Sequence, residues 1–199
     1  MITIYGKQSA PYCQKVVHMA TAVELPFVCI GDMSAKDRAF VAAANPTGTT
    51  PVIQDSDNGI SVFESNAILL YLADKTGKLL PSSGQARADT YQWLFFESST
   101  LSAAVNEIFH YLSAAPMDVP YALDRSRKRL LRCMEIVDKR LVEREYLCGE
   151  ASIADIAVHP WVHLVEEFTD VPLATFGHAM AWSRRIDALR GGVDLGSQT

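Results

Sequence analysis

Basic residues are in short supply in this chain: 18 Lys and Arg stand against 23 Asp and Glu, for a net charge of −5. That excludes a uniformly basic surface, so nucleic acid is not expected as the main partner. Only four cysteines are present, Cys13, Cys29, Cys133 and Cys148, with no close-paired motif among them. A disulfide framework or a zinc ribbon needs such pairs, so the four read as free thiols in a reducing compartment. No apolar run is long enough to span a bilayer. The first residues run straight into a strand-like pattern, with no basic region followed by an apolar core and a cleavage site. The expectation is a cytoplasmic protein without a membrane partner. There is no internal repeat and no low-complexity segment. What remains is the composition of a globular protein, with 49% apolar and 21% charged residues, enough for one domain or two small ones.

The first 75 or so residues alternate strand and helix signals. Ile2–Tyr5 is a short β-rich run. Pro11 suits a first helical turn, where its missing N–H would be unpaired anyway. Val16, Met19, Ala20 and Val23 follow at helical spacing, and Leu25-Pro26 stops that helix. Phe27–Ile30 reads as a second strand and 34–44 as a short helix, ended by the turn residues Asn45, Pro46, Thr47 and Gly48. Residues 52–54 and 60–63 flank Asp55-Ser56-Asp57-Asn58-Gly59 and read as a hairpin, and a helix over 65–74 closes the unit. Residues 77–85, with Pro81, two serines and Gly84, read as a linker. Beyond it all signals are helical. Trp93, Phe96, Ala104, Ile108 and Leu112 mark one long helix, with Pro116 and Pro120 breaking after it. Leu130, Met134, Val137 and Leu141 mark the next. Ser152 and Asp155 form a capping box that opens a helix through Trp161 and Leu164. A last helix covers 174–189 and a loose tail 191–199.

One stretch bears on chemistry. Phe63 ends an apolar strand, Glu64 and Ser65 follow, and the apolar helix from Ala67 begins at once. A helix start leaves N–H groups unpaired and carries partial positive charge, so it is a carboxylate site. The Glu64 carboxylate beside it can pair an ammonium. Together they would hold an amino acid by both ends. The plainer reading of such a pair is a cap serine with a dipole-compensating acid. Thr50-Pro51 lies a dozen residues earlier, where a cis bond would make a fixed tight turn.

The order βαβ-α-ββα followed by an all-α part, the Glu64-Ser65 pair after Thr50-Pro51, and the Ser152–Asp155 box resemble the cytosolic glutathione transferases. The fold implied is α+β: a thioredoxin-like βαβαββα domain at 1–76 and an all-helical C-terminal domain at 86–199. Gln92-Trp93, Pro120-Tyr121 and the run from Ser152 to Trp161 look like the family's bacterial Nu-class branch, whose members are glutathione-dependent disulfide reductases. Non-enzymatic members of the fold share the pattern from Phe63 to Ile68.

The resemblance implies glutathione as co-substrate, an apolar electrophile or a disulfide as second substrate, and a homodimer. It puts the γ-glutamyl end on Glu64 and Ser65 and the cysteinyl backbone on Thr50, ahead of Pro51. The glycine end falls to Thr49 and, across the dimer, Arg125. Relatives often carry Lys or Gln at Thr49; losing a charge-assisted contact there weakens binding by about 1.5–3 kcal/mol. Glu97 falls where a ligand-contacting glutamine is expected, and its charge would repel a second glutathione.

The thiolate needs a donor. When Lys15-Val16 is matched to the family's basic-aliphatic pair, the donor position falls on Ala10, which has none. Ala10-Pro11-Tyr12-Cys13 resembles a Cys-Pro-Tyr-Cys redox motif without its first cysteine. Ser9, Tyr12 and Cys13 remain as candidate catalytic residues, with Ser9 or the backbone N–H groups of Tyr12 and Cys13 favoured. Trp93, Phe96 and Tyr111 are candidates for the apolar substrate pocket, although their helical spacing favours core packing. His159 and His163 have metal-ligand spacing, but Pro160 intervenes and no third ligand is evident, so no metal is expected. Two other readings stay open: a non-catalytic binding module, and a monothiol redox protein using Cys13.

Overall fold

The computed structural model describes residues 1–189, and the expected tail at 191–199 lies outside them. Two compact units divide between Leu80 and Pro81. In the first, β1 (Ile2–Tyr5), α1 (Pro11–Ala22), β2 (Phe27–Ile30), α2 (Ala35–Ala44), β3 (Val52–Asp55), β4 (Ser61–Phe63) and α3 (Ser65–Thr76) follow in the expected order. The sheet runs β2-β1-β3-β4, with β1 parallel to β2 and antiparallel to β3, and β3 antiparallel to β4.

Period-two alternation decides the faces. Ile2 and Ile4 are fully buried, as are Val16 and Met19 of α1 and Ile68, Leu69 and Leu72 of α3, and these two helices pack on each other. Tyr5 joins Val41, Val52, Phe40 and Phe63 in a separate cluster, its ring centroid 4.9 Å from that of Phe40 on α2. Ser34 caps α2 with a full capping box, its partner being Asp37. The end of β3 is tied by a charged side-chain contact. Asp55, with no exposed side-chain surface, accepts from Tyr71 Oη at 2.6 Å and pairs with Lys75 Nζ at 2.7 Å.

The second unit, Pro81–Ile186, is helical: α4 (Gly84–Phe96), α5 (Ser102–Ser113), α6 (Pro120–Arg140), α7 (Ile153–Val162), α8 (Leu164–Phe168) and most of α9 (Gly177–Leu189). The single long helix expected from Trp93 to Leu112 is interrupted by a π-helical turn at Glu97–Leu101. Glu97, Leu101 and Ser102 are buried on it, and an extra residue in the turn re-aims the apolar face. Pro120 is not a breaker but the first residue of α6, a position that needs no N–H. α4 begins at Gly84, inside the stretch that composition suggested for the linker, and a short 3₁₀ turn at Leu173–Thr175 precedes the last helix. The box at α7 is present. The buried Asp155 takes the Ser152 N–H at 2.9 Å, the Leu147 N–H at 2.9 Å and the Trp182 indole at 2.8 Å. Among the described residues no helix is long and apolar enough to cross a membrane.

Candidate functional site

The β3–β4 register assembles the site. Val52 pairs with Phe63, so Thr50-Pro51, entering β3, and Glu64-Ser65, leaving β4, come to the same end of the sheet. The Thr50–Pro51 bond is cis. Glu64 is the N-cap of α3, with φ 67 and ψ 114, and its side chain makes no capping bond. A non-glycine residue at positive φ is costly and persists where its surroundings enforce it. The plainer reading, a serine cap with a compensating acid, therefore fails on geometry. The cap residue is the glutamate, which is exposed and whose side chain makes no bond to the helix start, and Ser65 already lies inside the first turn. Ile68 is the first α3 residue whose N–H finds an intrahelical carbonyl, Glu64 O at 2.9 Å, so the N–H groups of Ser65, Asn66 and Ala67 precede the ladder.

The end of β1 closes the other side. Gly6 has φ +139, and a Cβ there would overlap Cys13 Sγ and lie 3.0 Å from Thr50 Oγ1. Only glycine lets the strand end, the first turn of α1 and Thr50 come together. Cys13 is fully buried under that turn. Burial pushes its thiol up to about 12; a hydrogen bond with Thr50 acts the other way. Its N–H is also taken, by Ala10 O at 2.9 Å. Neither the Cys13 sulfur nor its N–H is thus disposed as a thiolate donor or nucleophile, which corrects the expectation for this residue. Ala10 is the N-cap of α1 and offers no side-chain bond. Ser9 is exposed just before it, with its carbonyl accepting from Gln14 Nε2 at 3.1 Å. The half-buried Tyr12 ring lies 5.2 Å from Lys15 Nζ.

Thr49 differs from its expected role. Its hydroxyl sits 2.7 Å from the Thr47 hydroxyl and 3.2 Å from Asn45 Nδ2, inside a network built on the buried Asn45. That network holds the loop ahead of Thr50 and already engages the oxygen a glycine carboxylate would use. The remaining candidates belong to the helical unit. Arg125 is exposed on α6, while Trp93 and Phe96 meet edge to face at 5.2 Å and are half-buried. Tyr111 meets His110 edge to face, at 5.8 Å. Glu97, expected to repel a second ligand, is fully buried, so its carboxylate is not presented at the surface. His159 and His163 both face Ser183 Oγ, at 3.1 and 3.3 Å, with the hydroxyl bridging the rings.

Sequence reasoning missed two neighbours of the site. Lys15 served only to align the first helix, yet it is fully buried and donates to Asn66 Oδ1 at 3.1 Å. Its signal was a charged residue ahead of the apolar run of Val16, Val17 and Met19. Gly6, directly after the first strand, carried no signal beyond its identity.

Residues 10–75 match the glutathione S-transferase N-terminal domain, and residues 106–189 the C-terminal domain. The chain is 39% identical to the disulfide-bond oxidoreductase YfcG of Escherichia coli over 148 residues, 71% of this chain and 68% of that protein. It belongs to the glutathione S-transferase family. It is also 32% identical to the disulfide-bond oxidoreductase YghU of Escherichia coli, covering 79% of this chain but 57% of that longer protein. Among solved structures, a glutathione S-transferase from Pseudomonas fluorescens is 31% identical with a TM-score of 0.81, covering 94% of each chain. A transferase family member from the same species, solved with two glutathione molecules bound, is 28% identical with a TM-score of 0.83 and covers 94% of this chain and 88% of that one. The thioredoxin-like and helical units of this transferase-family chain are those of the family's fold.

Proposed function

We propose that this chain is a glutathione-dependent transferase or disulfide reductase, acting as a cytoplasmic homodimer. The observation that carries the reading is the uncapped start of α3, with Glu64 held at positive φ, beside the cis Thr50–Pro51 turn. The α3 N-terminus and Ser65 take the γ-glutamyl carboxylate, and Glu64 pairs its ammonium. The Thr50 backbone holds the cysteinyl residue. Arg125 serves the glycine end, with Thr49 as a loop-fixing residue rather than a charge partner. Ser9 is the side-chain donor to the thiolate, which attacks an electrophilic carbon or the sulfur of a disulfide; Trp93, Phe96 and Tyr111 supply apolar surface for that second substrate. A donor that strengthens in the transition state lowers the barrier without tightening ground-state binding.

The second reading, a binding module without turnover, is favoured by Ala10, which leaves the usual donor position empty. The monothiol redox reading is disfavoured by the burial of Cys13. Calorimetric titration with reduced glutathione, followed by turnover with an aryl halide and with a hydroxyethyl disulfide, tests all of this. Binding with turnover that falls in Ser9→Ala supports the transferase reading. Binding without turnover leaves the module. No heat at millimolar glutathione removes the glutathione site itself.

A further inference from the structure

Lys15 is a fully buried charge in the first unit. It lies on α1 with 0% of its surface exposed, among the largest fully buried side chains of the chain. Packing alone does not ask for it, since a methionine fills the same volume without taking an ammonium out of water. Its placement is specific. Nζ donates to Asn66 Oδ1 at 3.1 Å and lies 5.2 Å from the Tyr12 ring centroid. Tyr12 is the second residue of α1 and Asn66 the second residue of α3. The ammonium therefore reaches the first turns of both helices at once, behind the two segments that face the ligand.

Such a position is electrostatically unfavourable for the helices themselves. Both carry partial positive charge at their N-termini, and a cation there adds to it. Neither has an acid within its first turn, and Glu64, just ahead of α3, is the residue assigned to the ligand's ammonium. An anion bound at the start of α3 reverses the balance: it meets the helix N–H groups and a fixed positive charge behind them in a medium that screens poorly. The contact with Asn66 also fixes the side chain. Ammonium can only donate, so the amide oxygen must face Lys15 and the Nδ2 donor group the other way.

We infer that Lys15 is a positioning residue for γ-glutamyl recognition, acting through Asn66 and the α3 N-terminus on the ligand's α-carboxylate. This rests on the glutathione reading above. It predicts a selectivity as well as an affinity. Without Lys15 the protein should lose its preference for a peptide bearing that carboxylate.

The test compares glutathione with 4-aminobutyryl-cysteinyl-glycine, which keeps the amine and the thiol but lacks the α-carboxylate. Both are titrated calorimetrically into wild type, Lys15→Met and Lys15→Arg, with thermal melts on each. Lys15→Met is expected to weaken glutathione about tenfold and the analogue less than about twofold, and Lys15→Arg to restore most of the difference. Lys15→Gln, which keeps a donor for Asn66 without the charge, carries the comparison if the methionine variant does not fold. Equal losses for both peptides, or no loss for either, would overturn the inference and reduce Lys15 to a structural role. So would a wild type that binds both peptides alike, since the carboxylate is then unread. A wild type that binds neither peptide overturns the glutathione reading itself, and the role of Lys15 with it.

Discussion

Replacing Glu64 with glycine is expected to make the protein more stable and a poorer binder at once. The backbone at this residue has φ 67 and ψ 114, outside the regions that a side chain tolerates without cost. Enforced outliers of this kind cost about 1–3 kcal/mol. Glycine removes that cost but adds about 0.5–1 kcal/mol of unfolded-state entropy. The difference is about 1 kcal/mol in favour of the variant, a rise in Tm of about 2–4 °C for a chain of this size. Glu64→Ala keeps the strained backbone and should gain nothing. Both variants lose the carboxylate assigned to the ammonium of glutathione. A charge-assisted hydrogen bond is worth about 1.5–3 kcal/mol, roughly 10- to 150-fold in Kd. Scanning calorimetry and titration with reduced glutathione on wild type and the two variants read both quantities. If Glu64→Gly melts at or below wild type, the backbone is not strained and the argument from its φ fails. If either variant binds within about twofold of wild type, the carboxylate does not hold the ligand.

Three further expectations follow from the same unit. Burial alone would raise the Asp55 carboxyl, but hydrogen bonds from Lys75 and Tyr71 bring it down to about 2 from an ordinary 3.8. A depressed carboxylate stabilises the fold above its unfolded value, so about 2 kcal/mol is present at neutral pH and is lost as pH falls from about 4 towards 2. Urea melts across that window should show Asp55→Asn less stable at neutral pH and with a flatter acid limb; an unchanged acid limb would remove Asp55 as its source. Cys13, fully buried with its thiol raised to about 12, should resist a thiol reagent in the native state and react on unfolding, and Cys13→Ala should leave glutathione turnover unchanged. Rapid native labelling or lost turnover would return it to the catalytic set. Gly6→Ala places a Cβ against Cys13 Sγ and Thr50 at φ +139, at a cost on the order of 3 kcal/mol. In denaturant melts, adding Cys13→Ala should recover the overpacking part but not the backbone part, and full recovery would mean that Gly6 is needed for space alone.

Much of this molecule is written locally. Pro11 at a first turn, the boxes at Ser34 and Ser152, the turn at Asn45-Pro46 and the alternation of Ile2 and Ile4 each act over a few residues, so the order of elements could be read from the chain. The pairing of Glu64 and Ser65 with a helix start was legible for the same reason, because the orphan N–H groups of a helix are a property of its end. What the chain alone could not decide depends on distant segments meeting. The burial of Cys13 comes from β1 and Thr50 closing over α1, and it turns a plausible nucleophile into a protonated thiol. The positive φ of Glu64 is set where β4 must turn into α3 while β4 stays in register with β3. Lys15 carries no sign of a role at the site until α3 brings Asn66 to its ammonium, 51 positions along the chain. Propensity and capping act between neighbours, whereas desolvation and electrostatics act through space, and only the tertiary structure decides those.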